Sequence, residues 1–80
     1  MKARVFITAK EGVLDPQGKA IEHALGNMGF TGVNEVRQGK VIDLVLTETD
    51  QTKAKASLDE MCKKLLANTV IESYRVEIVG

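Results

Sequence analysis

The chain has 80 residues, enough for a single domain spanning positions 1–80. Apolar residues at 44% and charged residues at 28% give the balance of a folded protein, and 11 basic against 11 acidic side chains leave no net charge, which excludes the cationic surplus that nucleic-acid binding needs. No apolar run nears the ~20 residues of a membrane span, no signal-peptide core opens the chain, and one cysteine cannot form an internal disulfide, so a reducing cytoplasm is the expected compartment.

The patterned segments follow one another with short turns. Lys2 to Ala9 alternates Val5 and Ile7 against Arg4, Phe6 and Thr8, which predicts a strand. Asp15-Pro16 is a helix start, with Asp as the cap and Pro at the first helical position. After it, Ala20, Ile21, Ala24, Leu25 and Met28 fall within an arc of ~140° at ~100° per residue. Gly29 stands where a left-handed cap belongs, so the helix ends at Met28 or Gly29. Val33 to Gln38 and Val41 to Thr47 read as two strands around Gly39. A loop of Gln38-Gly39-Lys40 that sets Val36 opposite Ile42 keeps the apolar face consistent.

Thr49 or Asp50 can cap a second helix running to about Ala67. Its apolar stripe is Ala54, Leu58, Met61, Cys62, Leu65 and Leu66, with Lys53, Lys55, Asp59, Glu60, Lys63 and Lys64 solvated and Asn68 as a left-handed stop. Ile71 to Val79 alternates Tyr74, Val76 and Ile78 against Ser73, Arg75, Glu77 and Val79, a last strand.

The order βαββαβ, with one apolar stripe per helix, predicts an α+β fold: a ferredoxin-like two-layer sandwich with a four-stranded antiparallel sheet and two helices on one face. The opposite sheet face would carry Phe6, Thr8, Val41, Val45 and Val79 among charged residues. That face is an expected dimer interface, with self-association either sheet to sheet or edge to edge. Size points the same way: a core this small usually needs a staple, and self-association or a partner is the one left open here.

Chemistry-bearing residues are few. Cys62 falls on an apolar stripe, where a thiol keeps a high pKa and is inert. His23 lies on a polar helix side without a second ligand spaced to share a metal. The loop Gly12 to Gly18 enters a helix but lacks phosphate-loop spacing, and Asp15 would repel an anion. No catalytic residue and no metal site are expected.

The string Lys10-Glu11-Gly12-Val13-Leu14-Asp15-Pro16-Gln17-Gly18-Lys19-Ala20-Ile21 resembles the signature of the PurS family of phosphoribosylformylglycinamidine (FGAM) synthase. So do Met28-Gly29-Phe30, Val36-Arg37-Gln38-Gly39-Lys40, and Met61-Cys62-Lys63-Lys64-Leu65-Leu66-Ala67-Asn68 with Val70-Ile71-Glu72. Ala9 and Glu11 depart from it, leucine and proline being commoner there. The resemblance implies a non-catalytic subunit of a ligase complex in de novo purine synthesis. There formylglycinamide ribonucleotide (FGAR), ATP, glutamine and water become FGAM, ADP, phosphate and glutamate. It implies a PurL synthetase and a PurQ glutaminase as partners, and a homodimer that can pair again into a tetramer. It also implies that ATP and Mg are used by the complex while this chain binds no cofactor alone. Loop position and membership in that signature mark Asp15, Gln17, Gly18, Arg37, Gly39 and Lys40 as the expected partner contacts. The competing reading is a stand-alone ACT-like sensor of small molecules, with the Gly12–Gly18 loop as its ligand site.

Overall fold

The computed structural model describes every residue from Met1 to Gly80. Strand β1 (Lys2–Ala9) is followed by helix α1 (Pro16–Asn27), strand β2 (Gly39–Val45), helix α2 (Gln51–Met61) with a π-helical turn (Cys62–Leu66), and strand β3 (Glu72–Ile78). The sheet has three antiparallel strands in the order β2-β1-β3. The chain is α+β, as its pattern predicts, with one strand fewer than expected.

Alternation in β1 sends Ala3, Val5 and Ile7 to one face, where each is at most 1% exposed. The ladder sets Val5 beside Ile42 and Val76, and Ala3 beside Leu44 and Ile78, so all three strands present apolar groups to the same side. Helix α2 lies on that side. Asp50 caps it, its Oδ1 accepting the Thr52 N–H at 2.8 Å and the Lys53 N–H at 3.2 Å. Ala54, Leu58 and Cys62 recur at four-residue spacing and are fully buried, Leu58 and Cys62 in one cluster with Ala3, Val5 and Ile7 of β1. Lys63–Asp59 at 2.9 Å and Lys64–Glu60 at 3.4 Å are i,i+4 pairs on its outer side.

The second helix does not run on regularly to Ala67. Its last turn widens, the Ala67 N–H reaching the Cys62 carbonyl at 3.0 Å, five residues back. The extra residue per turn shifts the phase of the stripe, so Leu65 comes out 84% exposed instead of buried. Asn68 is not left-handed, since only Gly12 and Gly29 have positive φ. It closes the turn by hydrogen bonds, its carbonyl accepting the Ile71 and Glu72 N–H groups at 3.0 and 2.7 Å.

The larger correction concerns residues 10–38. Val33 to Gln38 is not a strand and Gln38-Gly39-Lys40 is not a hairpin loop: Gly39 already lies in β2, paired with Thr8. Nor do the two helices share the sheet face. α1 forms no layer with the sheet, and its stripe is largely open, Ile21 being 40% and Met28 71% exposed. Together α1 and the extended return segment form an arm projecting from the sheet. The extents are 48 × 26 × 14 Å and the radius of gyration is 15.9 Å, against about 12 Å for a compact chain of this length.

Candidate functional site

The arm is held by a small set of polar contacts at its root, where most of the expected partner residues meet. Asp15 caps α1: its Oδ1 accepts the Gly18 N–H at 3.0 Å, and its Oδ2 accepts the Gln38 N–H at 2.7 Å. Those two bonds favour the charged form, as does the nearby Arg37 guanidinium more weakly, and they hold the Asp15 carboxyl below its ordinary pKa. Arg37 donates from one guanidinium nitrogen to the carbonyls of Ala9 and Lys10, the latter at 2.7 Å, and so ties the return segment to the end of β1.

Two glycines are explained by contact. A Cβ on Gly18 would collide with the Val36 carbonyl oxygen, so the helix and the return segment approach too closely for any side chain. A Cβ on Gly39 would collide with the Ile7 carbonyl oxygen and lie 2.8 Å from Thr8 Cγ2. Asp15, Gly18, Arg37 and Gly39 therefore have internal roles that account for their place in the pattern. Gln17 and Lys40 remain exposed beside them, Lys40 being 3.9 Å from Glu72.

The outer sheet face is mixed, as the alternation predicts. Val41 and Val45 are 57% and 80% exposed, and Thr8 and Val79 are exposed as well. Arg75 lies 4.2 Å over the Phe6 ring and half covers it. Arg4 pairs with Asp43 at 2.7 Å and Arg75 with Glu77, so ion pairs separate the apolar groups.

Cys62 is buried in the core, and burial, helped by the Asp59 charge, pushes its thiol pKa up, away from the nucleophilic thiolate. Asp59, half exposed on the outer side of α2, also accepts the Tyr74 hydroxyl, which raises the tyrosine pKa and lowers that of the carboxyl. His23 is exposed with Asn27 as its neighbour at 3.4 Å. No helix is long and apolar enough to cross a membrane.

Two apolar surfaces are open that the sequence pattern assigns to the core: the stripe of α1 and the half-covered side of the body near Leu44 and Leu65. Their periodicity was legible; that nothing in the same protomer covers them was not.

Comparison with known proteins agrees with this architecture. The sequence model of the family described as PurS, phosphoribosylformylglycinamidine (FGAM) synthase, matches residues 2–80. The PurS subunit from Bacillus subtilis is 48% identical over 77 residues, covering 96% of this chain and 90% of that one. The PurS subunit from Methanocaldococcus jannaschii is 46% identical, covering 96% and 93%. The crystal structure of B. subtilis PurS superposes with a TM-score of 0.88 over 99% of this chain and 98% of that one, at 47% identity. A chain from the structure of PurLQS from Thermotoga maritima superposes with a TM-score of 0.88 over 98% and 95%, at 31% identity. The arm is more than a third of this chain, so a relative whose arm pointed elsewhere could not superpose so well; the open shape is shared. On this sequence match and this shape, the chain belongs to the PurS family of FGAM synthase subunits.

Proposed function

We propose that this chain is the non-catalytic PurS subunit of a cytoplasmic FGAM synthase, holding a PurL-type synthetase against a PurQ-type glutaminase. The observation that carries the reading is the superposition on a PurLQS chain across 98% of this one. In the reaction ATP phosphorylates the formamide oxygen of FGAR, and ammonia released from glutamine displaces the phosphate to give FGAM. ATP and Mg belong to the synthetase. Only neutral ammonia is nucleophilic, and at neutral pH most of what escapes is protonated. A subunit that fixes the distance between the two sites raises the effective concentration of ammonia at the second without reacting itself.

In this reading the chain self-associates, and the outer sheet face with Phe6, Thr8, Val41, Val45 and Val79 is a surface for pairing copies. The exposed pair Gln17 and Lys40, beside the root formed by Asp15, Gly18, Arg37 and Gly39, is the contact for a partner subunit. The ferredoxin-like sandwich with four strands describes the assembled protein, not the single chain. The test compares FGAM formation from glutamine with formation from free ammonium by the mixed subunits. Omitting this chain, or replacing it with the Gln17→Ala/Lys40→Glu variant at low subunit concentration, should depress the glutamine-dependent rate by more than the ammonium-dependent one. Equal loss of both rates, or no loss from the variant, overturns the assignment of that contact.

A further inference from the structure

Where the arm meets the body, a cavity of about 240 Å³ opens between the loop before α1 and the starts of β2 and β3. Its lining is drawn from three of the strings singled out in the sequence: Leu14 to Gln17, Gln38 to Lys40, and Ile71 with Glu72. Internal contacts account for Asp15 and Gly39. They do not account for Leu14 or Ile71, apolar side chains left 72% and 45% exposed. Gln17 and Gln38, both exposed, line the same space.

Two opposite charges stand side by side on its wall. Glu72 is largely covered, and one of its carboxylate oxygens accepts the Asn68 N–H at 2.7 Å, which fixes the group in place. The other oxygen lies 3.9 Å from Lys40 Nζ, too far for a hydrogen bond, so both groups keep bonding capacity. Asp15 adds a second negative charge, its oxygens already taken by the Gly18 and Gln38 N–H groups. These charges select the ligand. A simple anion would face Asp15 and Glu72, and a simple cation would face Lys40. A ligand with both charges on one short head group meets both, its ammonium on Glu72 and its carboxylate on Lys40.

We propose that this cavity binds a free α-amino acid with an uncharged side chain. The head group spans Lys40 and Glu72, and the side chain lies over Leu14 and Ile71, removing their apolar surface from water. Volume sets the size: the cavity is smaller than the ~300–1,000 Å³ of sites for drug-sized ligands, which suits a molecule of roughly ten heavy atoms. A charged side chain would have to shed its water against that apolar floor. An aliphatic side chain uses the floor alone, whereas a side-chain amide finds partners in Gln17 and Gln38 as well. A peptide end carries only one of the two head-group charges and does not match the wall. The site shares Gln17 and Lys40 with the partner contact proposed above, but this binding belongs to the chain alone.

The test titrates L-leucine and L-glutamine, one aliphatic and one amide side chain, into the isolated full chain and follows heat and backbone amide shifts. At least one should bind saturably by about 10 mM, where a millimolar site fills, with shifts centred on Leu14, Gln17, Lys40 and Glu72. Which of the two binds tighter tells whether the floor or the amides dominate. The N-acetyl and carboxamide derivatives of the tighter ligand each lack one head-group charge and should bind roughly tenfold more weakly or worse. Lys40→Gln and Glu72→Gln should weaken binding to a similar degree. The second keeps a carbonyl oxygen for the Asn68 N–H, and continued protection of buried Cys62 from thiol reagents reports that both variants fold. Absence of binding by both amino acids, a derivative that binds like its parent, or variants that bind like the wild type each overturn the proposal. No partner subunit is present, so such a failure leaves the bridging role standing.

Discussion

Asp15 and Gln38 are 23 residues apart in sequence yet joined by a 2.7 Å hydrogen bond from the Gln38 N–H to Asp15 Oδ2, while Oδ1 of the same carboxylate caps α1. One side chain thus starts the helix and fastens the segment that returns from it. Replacement Asp15→Ala removes both bonds and should lower the melting temperature by about 5 °C. The carboxyl pKa is lowered in the folded protein, so its contribution is present above the ordinary aspartate range and is lost as pH falls through the depressed value. Amide exchange at Gln38, corrected for its intrinsic pH dependence, should accelerate on acidification in the wild type. It should be fast throughout in the variant.

Two helix glycines should respond in opposite directions to alanine. At Gly26 an added Cβ meets nothing within 4 Å, so Gly26→Ala should stabilise the chain by about 0.5–1 kcal/mol, the intrinsic helix preference. At Gly18 the same methyl group meets the Val36 carbonyl oxygen, so Gly18→Ala should destabilise despite the same preference. Chemical denaturation of both variants reads the two signs. Equal stabilisation would sink the close approach of α1 to the return segment.

Tyr74 on β3 and Asp59 on α2 are joined through the tyrosine hydroxyl. The tyrosine pKa is raised and the aspartate pKa lowered. The tyrosine contribution to stability is therefore complete below its ordinary pKa and lost as pH rises through the raised value; the aspartate contribution is lost as pH falls through the depressed one. The chain has one tyrosine, so absorbance of the tyrosinate follows the first directly. It should titrate above free tyrosine. Tyr74→Phe should flatten the alkaline limb of stability measured by denaturation.

Cys62 is 0% exposed among Val5, Ile7 and Leu58. Replacement Cys62→Ser places a hydroxyl where no polar partner is available and should cost about 1–3 kcal/mol. Burial also raises the thiol pKa. A thiol-specific reagent should therefore label the protein at the rate of unfolding and not at that of an exposed thiol. Rapid labelling of the native chain would contradict the packing described for α2.

Much of this protein was written in local pattern. The strand Lys2–Ala9 and the caps at Asp15 and Asp50 follow from alternation and from side chains that satisfy free helix amides, and the end of α1 from the left-handed backbone that Gly29 adopts, all short-range effects. Buried Cys62 followed from helical period, and the family from strings of residues at fixed separation. Asp15 and Gly18 were visible as unusual, but their reason, contact with Gln38 and Val36, spans about twenty residues and leaves no periodic trace.

What the chain's order of residues determined was which faces are apolar and where each helix and strand begins. It did not determine which apolar face meets which. Ala20 to Met28 and Val33 to Gln38 carry the period of a core helix and of a strand, and burial stabilises such segments equally whether the covering surface belongs to the same chain or to another. The tertiary structure decided that question at one place. Gly39 enters the ladder opposite Thr8 without a hairpin turn, and that extended backbone carries the helix and the segment away from their own sheet.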